Sequence, residues 1–427
     1  MASRLNIPLN AIRQVLRWSE SGRAVARLWA VFIGYTVSAS MTAPIIGLYA
    51  YRLGATPGQV GAYYATIAVT TFVSRLPLAS LSKSRPSLNL TRLGLILNLA
   101  SLLVLILSPS LSVMYLGCVL RGLGFGSFHP SALSEAVRIA GSSADREKRL
   151  GLIMTAPPVG MSVGPLLSSL ILAGYPVGTR FIDQYTAVFV VAVVISAAAA
   201  AIPGGAAVVN VEESGGPSSW RQLFSRELAL LLSSRFILSY VIGTISSFLP
   251  ILIVQRGIVP EHEIPILFSV SSVFNILGRP LSAKIGGAYK SLLASSLLTA
   301  STAPLLYVKS QWSLYSAMSL YGIAVGLFIP SSLITLQSLV PPSHLTIGIA
   351  VLTLGLDLGS GMGSLATGLL LSLAELDIII PVTSAVAGLA SVILVWALRL
   401  SAGEVSGSSE GLAKPNKSTA KNREGGG

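Results

Sequence analysis

Arg121 stands inside a long apolar run, at the head of RGLGFGSFHPSAL (Arg121–Leu133), with Gly122, Gly124 and Gly126 behind it and then Pro130. About two hundred residues later the same frame returns as YGIAVGLFIPSSL, with Gly322, Gly326, Pro330, Ser331 and Leu333 at matching places and Tyr321 where the first copy has Arg121. A duplicated frame with one unduplicated charge makes the frame structural and the charge a candidate for function. Roughly nine residues into its run, Arg121 lies ~13 Å deep by helical rise. A lone arginine at that depth costs at least ~2.5 kcal/mol unless it faces a cavity or a partner. Two roles fit. Arg121 is either a cavity-facing cation that binds the anionic part of a substrate or tunes proton release from a carboxylate, or a lock that bonds backbone carbonyls and ties helices together.

Asp357, in LGLDLGSGMG, is the acid at the middle of an apolar run. Desolvation favours its protonated form and a nearby cation favours its ionised form. That balance suits proton coupling, and it equally suits a static ion pair with Arg235 or with Arg75. Arg75 and Arg279 lie near the same ends of their runs and fit gating or topology better than substrate contact. Asn98 and Asn275 are explained by hydrogen bonds between helices, and His129 by a hydrogen-bonded position beside the Pro130 kink. Gly122 and Gly126, Gly160 and Gly164, and Gly359 and Gly363 recur at spacing four, the pattern of closely packed helices.

Elements of one kind must position these residues. Hydrophobic residues are 52% of the 427, charged residues 11%, and the mean hydropathy is +0.74; repeated apolar runs of roughly twenty residues are what helices need to cross ~30 Å of hydrocarbon. The net charge of +13 sits in the loops between runs, which is the positive-inside pattern and not a nucleic-acid patch. Cys118 is the single cysteine, so no intramolecular disulfide forms, and three unclustered histidines give no metal site. No P-loop, nucleotide fold or zinc-protease motif occurs, so no cofactor is expected, and the chain reads as neither a self-powered pump nor an enzyme.

The hydropathy pattern predicts twelve spans, at 29–51, 58–81, 90–108, 112–137, 149–173 and 183–203, then 227–253, 264–284, 289–308, 312–338, 346–373 and 378–399. Residues 1–28 read as a basic cytosolic segment, 29–203 as a first six-helix bundle, 204–226 as a glycine- and serine-rich linker, 227–400 as a second bundle, and 401–427 as a disordered tail. Lys83, Arg85, Arg92, Arg138, Arg146, Lys148, Arg149, Arg221, Arg226, Lys284 and Lys290 fall on one side, which places both termini in the cytosol. The halves repeat elsewhere too: Gly54, Pro57 and Pro77 match Gly257, Pro260 and Pro280, Arg75 matches Arg279, and Gly164 matches Gly361. Two parallel halves related by an axis along the membrane normal form a transporter architecture. The predicted fold is therefore an all-α integral membrane protein of twelve helices in two pseudo-symmetric bundles.

On three local patterns the sequence resembles the major facilitator superfamily. RGLGFG (Arg121–Gly126) is similar to that family's fourth-helix motif, GMSVGP (Gly160–Pro165) to the fifth-helix G-x-x-x-G-P pattern of antiporter-type exporters, and YRLGATPGQVG (Tyr51–Gly61) to its first outer loop. GSFHPSA (Gly126–Ala132) also resembles the fourth helix of fosmidomycin-resistance-type exporters. The loop after span 2 departs from the pattern. It reads ASLSKSRPS, without the usual aspartate, while its basic residues Lys83 and Arg85 remain, as Lys284 does in the second copy.

The resemblance implies that spans 1, 4, 7 and 10 line a central cavity. Arg121, Tyr35, Thr42, Tyr49, Ser239 and Ser246 then become substrate-binding candidates, and Asp357 and Arg121 candidates for proton coupling. Arg75, Lys83, Arg85, Arg279 and Lys284 become candidates for gating, and Gly126, Gly160, Gly164, Pro165, Gly326 and Gly361 for helix packing. The expected function is proton-coupled efflux of a small organic molecule or drug by a monomer in the plasma membrane, with the lipid bilayer, a small-molecule substrate and protons as its partners. The alternative is an uptake permease or facilitator for a sugar, organic anion or other metabolite.

Overall fold

The computed structural model describes residues 20–84, 87–107, 110–140, 146–174, 184–202, 225–341 and 344–412. Its helices are α1 (Glu20–Arg52), α2 (Pro57–Ser84), α3 (Ser87–Leu107), α4 (Leu111–Ala140), α5 (in two segments, Arg146–Met154 and Ala156–Gly174), α6 (Gln184–Ala201), α7 (Arg226–Arg256), α8 (Ile264–Lys284), α9 (Ala288–Tyr307), α10 (Gln311–Leu339), α11 (Leu345–Leu370) and α12 (Leu376–Leu412). They make twelve passes. Over the described residues ten of them are long and apolar enough to cross a membrane. Within those residues α2 and α9 carry many polar side chains. These are Gln59, Tyr63, Tyr64, Thr66, Thr70 and Thr71 in α2, and Ser291, Ser295, Ser296, Thr299, Ser301 and Thr302 in α9. Most of the α9 hydroxyls are buried inside the bundle. The break in α5 falls at Thr155, two residues before Pro157 and Pro158, which remove backbone donors and crowd the preceding turn.

Two boundaries differ from the hydropathy reading. The basic segment assigned to 1–28 is helical from Glu20, because Ala24, Val25 and Leu28 line one face and are buried while Arg23 and Arg27 stay exposed. At the other end α12 runs to Leu412, past the expected start of the tail at 401. The linker lies outside the described residues except at its end, where Ser225 caps α7 by accepting from the Leu228 amide at 3.1 Å.

The duplication seen in the sequence is a duplication of packing. Gly122 and Gly126 of α4 face Ile67, Thr70, Thr71 and Ser74 of α2, and Gly322 and Gly326 of α10 face Ser271, Phe274, Asn275 and Gly278 of α8. Gly160 and Gly164 of α5 lie on Thr36, Val37 and Ser40 of α1; Gly359 and Gly363 of α11 lie on Phe236, Ser239 and Tyr240 of α7. The turns after α1 and α7 both use a left-handed glycine, Gly54 with φ 86° and Gly257 with φ 62°.

One sequence match fails. Gly361, paired with Gly164 on sequence, faces Ala68 of α2 in the opposite bundle, and Gly363 is the residue that packs as Gly164 does. Three glycines within five residues leave the register undetermined by sequence, and helix rotation decides it. Tight seams carry an expected cost. Gly243 abuts the Ser360 carbonyl of α11, so Gly243→Ala should destabilise by ~1–3 kcal/mol. Gly151→Ala, where a Cβ meets nothing within 4 Å, should be near neutral. Thermal unfolding in nanodiscs measures both, and equal melting of the two variants would contradict this packing.

The core shows how the bundles meet. We call the face where α1 begins and α12 ends the terminal face, and its opposite the distal face. In the distal half one buried cluster runs through both bundles, joining Ile45, Leu48 and Tyr63 to Ile245, Phe248 and Leu252. In the terminal half there are two separate clusters, one around Phe32, Phe128 and Ile153 and one around Leu231, Phe328 and Leu398. Among the described residues the bundles are therefore sealed together distally and divided terminally.

Candidate functional site

The distal seal is made of the shared apolar cluster, close backbone contacts and an ion pair. Gly61 of α2 meets the Ser364 carbonyl of α11, Gly368 meets the Pro57 carbonyl, and Gly47 of α1 meets the Ser247 carbonyl of α7. Arg52 of the first bundle pairs with Glu261 of the second across the distal surface. Beside them a cavity of about 620 Å³ opens distally, lined by Tyr51 and Pro57 from one bundle and by Phe248, Arg256, Lys309 and Asp377 from the other. Asp377 holds both Arg256 and Lys309, the latter at 3.2 Å.

Farther in, the charged groups gather. Arg121 lies ten residues along α4 from Leu111, ~15 Å from the distal end. It is 8% exposed. One Nη donates to Thr42 Oγ1 at 2.7 Å and the other to the Ala39 carbonyl, both on α1. These acceptors take up one donor on each Nη without cancelling the charge. Tyr35, one turn farther toward the terminal face, is buried and stacks on Phe128 of α4, with ring centroids 3.8 Å apart. It lies within the electrostatic reach of Arg121 and of Arg75.

Arg75 of α2 forms an ion pair that crosses between the bundles at depth. Its Nη1 is 2.9 Å from Asp357 Oδ2 of α11, with both side chains largely buried. The contact is close but poorly aligned, and neither atom makes a well-directed hydrogen bond. The Arg75 guanidinium also lies 5.5 Å from the centre of the Phe125 ring. Of the two partners that the sequence left open for Asp357, the structure selects Arg75. Arg235 of α7 stands near enough for Asp357 to feel its charge. Its guanidinium lies over the face of Phe328, 5.2 Å from the ring centre, and its Nε is buried without a partner.

The other candidates divide. Thr42 and Tyr35 join the Arg121 group. Tyr49 does not: its ring packs against Tyr185 and Phe189 of α6, and its hydroxyl donates to the Leu105 carbonyl at 3.4 Å. A stripe of period seven drifts around a helix of 3.6 residues per turn, and Pro44 interrupts α1 between Thr42 and Tyr49. Ser239 is buried against Gly359 of α11 with its hydroxyl unpartnered, and Ser246 is half-buried on α7.

Arg279 is half-buried near the terminal end of α8, its Nε donating to Asn275 Oδ1 at 3.3 Å, and Lys284 is exposed at the end of that helix. The side chains of Lys83 and Arg85 lie outside the described residues. Gly126, Gly160, Gly164 and Gly326 sit in helix seams, and Pro165 is buried beside Gly164. Asn98 bridges Ser38 of α1 and Ser196 of α6 at 3.3 Å each.

Two residues escaped the sequence reading. Glu135, 5% exposed near the terminal end of α4, accepts from Thr91 Oγ1 at 3.5 Å. Its place so close to the end of a run disguised its burial. Arg235 enters the sequence reading only as a partner for Asp357. A signal for it existed: Tyr35 and Arg235 are 200 residues apart, as are Phe128 and Phe328, so the Tyr35–Phe128 stack and the Arg235–Phe328 contact occupy equivalent places in the two bundles.

The fold has solved counterparts. The nucleoside transporter NupG superposes with a TM-score of 0.67 at 15% identity, covering 88% of this chain and 98% of that one. A POT family transporter in complex with a thioalcohol-conjugated peptide gives 0.71 at 14% identity, covering 90% and 96%. A bacterial homolog of the human lysosomal transporter Spinster, in an inward-facing and unoccupied conformation, gives 0.66 at 13% identity, again covering 90% and 96%. At such identities the likeness carries the fold alone. No curated protein matches the sequence. The sequence profile of the Major Facilitator Superfamily matches residues 28–290 and again 259–423, together nearly the whole twelve-helix fold, and the chain belongs to that superfamily of membrane transporters.

Proposed function

We propose that the chain is a secondary active transporter of the plasma membrane that works by alternating access and exports a small organic molecule in exchange for protons. The terminal face is then cytosolic, in accord with the Lys and Arg bias of its loops, and the described conformation is open toward the cytosol. The Arg75–Asp357 pair carries the reading, because it joins the two bundles at the inner limit of their sealed contact. With the distal side closed, Arg75 holds Asp357 as a carboxylate. When the distal seal parts, water reaches the pair from outside, a proton neutralises Asp357, and Arg75 is released. Closure restores the pair and drives the proton inward. Arg121, fixed by Thr42, contributes to substrate binding on the α1–α4 wall. Export rather than uptake rests on the resemblance of GMSVGP to exporter sequences; Gly160 and Gly164 of that stretch seat α5 on α1.

The test starts with thermal-shift screening of purified protein against metabolites and drugs. Each stabilising compound then enters proteoliposomes carrying a pH gradient, with protein-free vesicles as the control for passive partition. Accumulation into acid-loaded vesicles supports exchange. Accumulation toward an alkaline interior would instead make the chain a symporter, the metabolite-uptake alternative, and gradient-independent equilibration would make it a facilitator. Arg121→Ala should reduce transport by about 10- to 100-fold, the worth of a charge-assisted hydrogen bond or two, while membrane insertion is retained. Undiminished transport by that variant would remove Arg121 from the site.

A further inference from the structure

The deep part of the bundle interface is out of charge balance. Among the described residues Arg75, Arg121 and Arg235 lie there with a single carboxylate, Asp357. Glu135 is engaged with Thr91 near the terminal end of α4 and does not enter this group. Arg75 takes up Asp357. Arg121 rests on two neutral acceptors. Arg235, 9% exposed, has an aromatic face on one side and a buried, unpartnered Nε. Two positive charges are therefore left without counter-charge in a region where an unpaired ion is costly and is ordinarily matched by another group.

The duplication sharpens the point. At two places the bundles exchange the same residue types: Arg121 stands opposite Tyr321, and Arg235 opposite Tyr35. Tyr35 is stacked on Phe128 and Tyr321 is buried, so in each bundle a buried aromatic occupies the place that in its counterpart holds an arginine. A purely structural frame would keep the aromatic in both copies. In the frame of the repeat Arg235 lies seven residues, ~10 Å, closer to the terminal face than the level of Arg121. A solute entering through the divided terminal half meets Arg235 first and Arg121 beyond it.

We propose that the solute is an organic anion bearing a carboxylate or phosphate-type group, with Arg235 as its first charge contact and Arg121 as the second, on the opposite bundle. This rests on the transporter reading and adds the chemical class of what is carried. The anion supplies the counter-charge that the chain lacks, and the rings of Phe328, Tyr35 and Phe128 flank the two arginines with apolar surface for its carbon skeleton.

The experiment uses the full chain in nanodiscs, in chloride buffer at fixed ionic strength. The probes are matched sets: metabolite carboxylates, phosphomonoesters and phosphonates, each beside its amide or alcohol and its amine analogue, with benzoate, benzamide and benzylammonium as the simplest set. Thermal shift and calorimetry should find anions that bind, with their neutral and cationic analogues at least tenfold weaker. Arg235→Gln should weaken the best anion by about 10- to 100-fold, and Arg235→Lys should recover part of that loss. Without ligand, Arg235→Gln should melt no lower than the wild type, because it removes an uncompensated charge. Binding that is equally good for neutral or cationic analogues, binding that is insensitive to Arg235→Gln, or the absence of any anion binding overturns the proposal. A bound anion that proteoliposomes do not translocate would sink the transporter reading and leave only the anion site of Arg235 and Arg121 standing. A translocated neutral or cationic solute would do the reverse.

Discussion

Asp357→Asn should lower the stability of the protein by about 3–5 kcal/mol and abolish pH-driven accumulation while leaving substrate exchange in place. The stability loss follows from burial. Arg75 and Asp357 have side-chain exposures of 11% and 8%, so the neutral amide leaves the Arg75 guanidinium buried with no opposite charge beside it. Removing both charges together, in Arg75→Gln with Asp357→Asn, should recover most of that stability, because a neutral pair leaves no ion to be solvated. The same double variant should not recover accumulation, because no group remains that takes up a proton in one conformation and loses it in the other. Thermal unfolding in nanodiscs reads the first effect. Proteoliposome counterflow, set against gradient-driven uptake, reads the second. If Asp357→Asn accumulates substrate as the wild type does, the carboxylate has no part in coupling. If the double variant regains stability and also accumulates substrate against its gradient, the pair is a structural tie alone.

The class and architecture of the chain were legible because the bilayer leaves few alternatives. Twenty-residue apolar runs must be helices, and glycines and prolines repeating some two hundred residues apart must pack alike if the halves fold alike. Gly122 with Gly322 and Gly126 with Gly326 do so. What sequence left open is decided by helix rotation and by the approach of the bundles. Asp357 had two arginines available at comparable depth, and only the crossing of α2 over α11 gives it to Arg75 rather than to Arg235 on α7. Tyr49 belongs to the right stripe on a helical wheel and yet faces α6. Gly361 matches Gly164 in sequence and faces the wrong bundle for that role. Arg235 could have been found by applying to Tyr35 the comparison already made at Arg121, since both positions exchange tyrosine for arginine across the repeat. The start of α1 was masked by its arginines, although Ala24, Val25 and Leu28 carry the buried face that extends it.

A disulfide across the α2–α11 seam should arrest transport completely and reversibly. The seam runs from Gly368 against Pro57, through Gly61 against Ser364, to Gly361 against Ala68, and then reaches the Arg75–Asp357 pair. Alternating access requires the distal part of that seam to open. A Cβ built on Gly361 lies 2.6 Å from the Ala68 Cβ, and a disulfide places its Cβ atoms ~3.5–4.5 Å apart, so a shift of about 1 Å accommodates the bond. In the Ala68→Cys, Gly361→Cys double variant, oxidation should therefore hold the two bundles in the distally closed form and stop flux, and dithiothreitol should restore it. The native thiol is no rival, because Cys118 is buried in the distal core on α4. The two single-cysteine variants serve as controls, since neither can close the bridge and both should keep their transport under oxidant. Should the cross-linked double variant still carry substrate at the reduced rate, α2 and α11 do not separate in the cycle. The Arg75–Asp357 pair would then be a fixed hinge between the bundles, and the proton would have to enter and leave by another group.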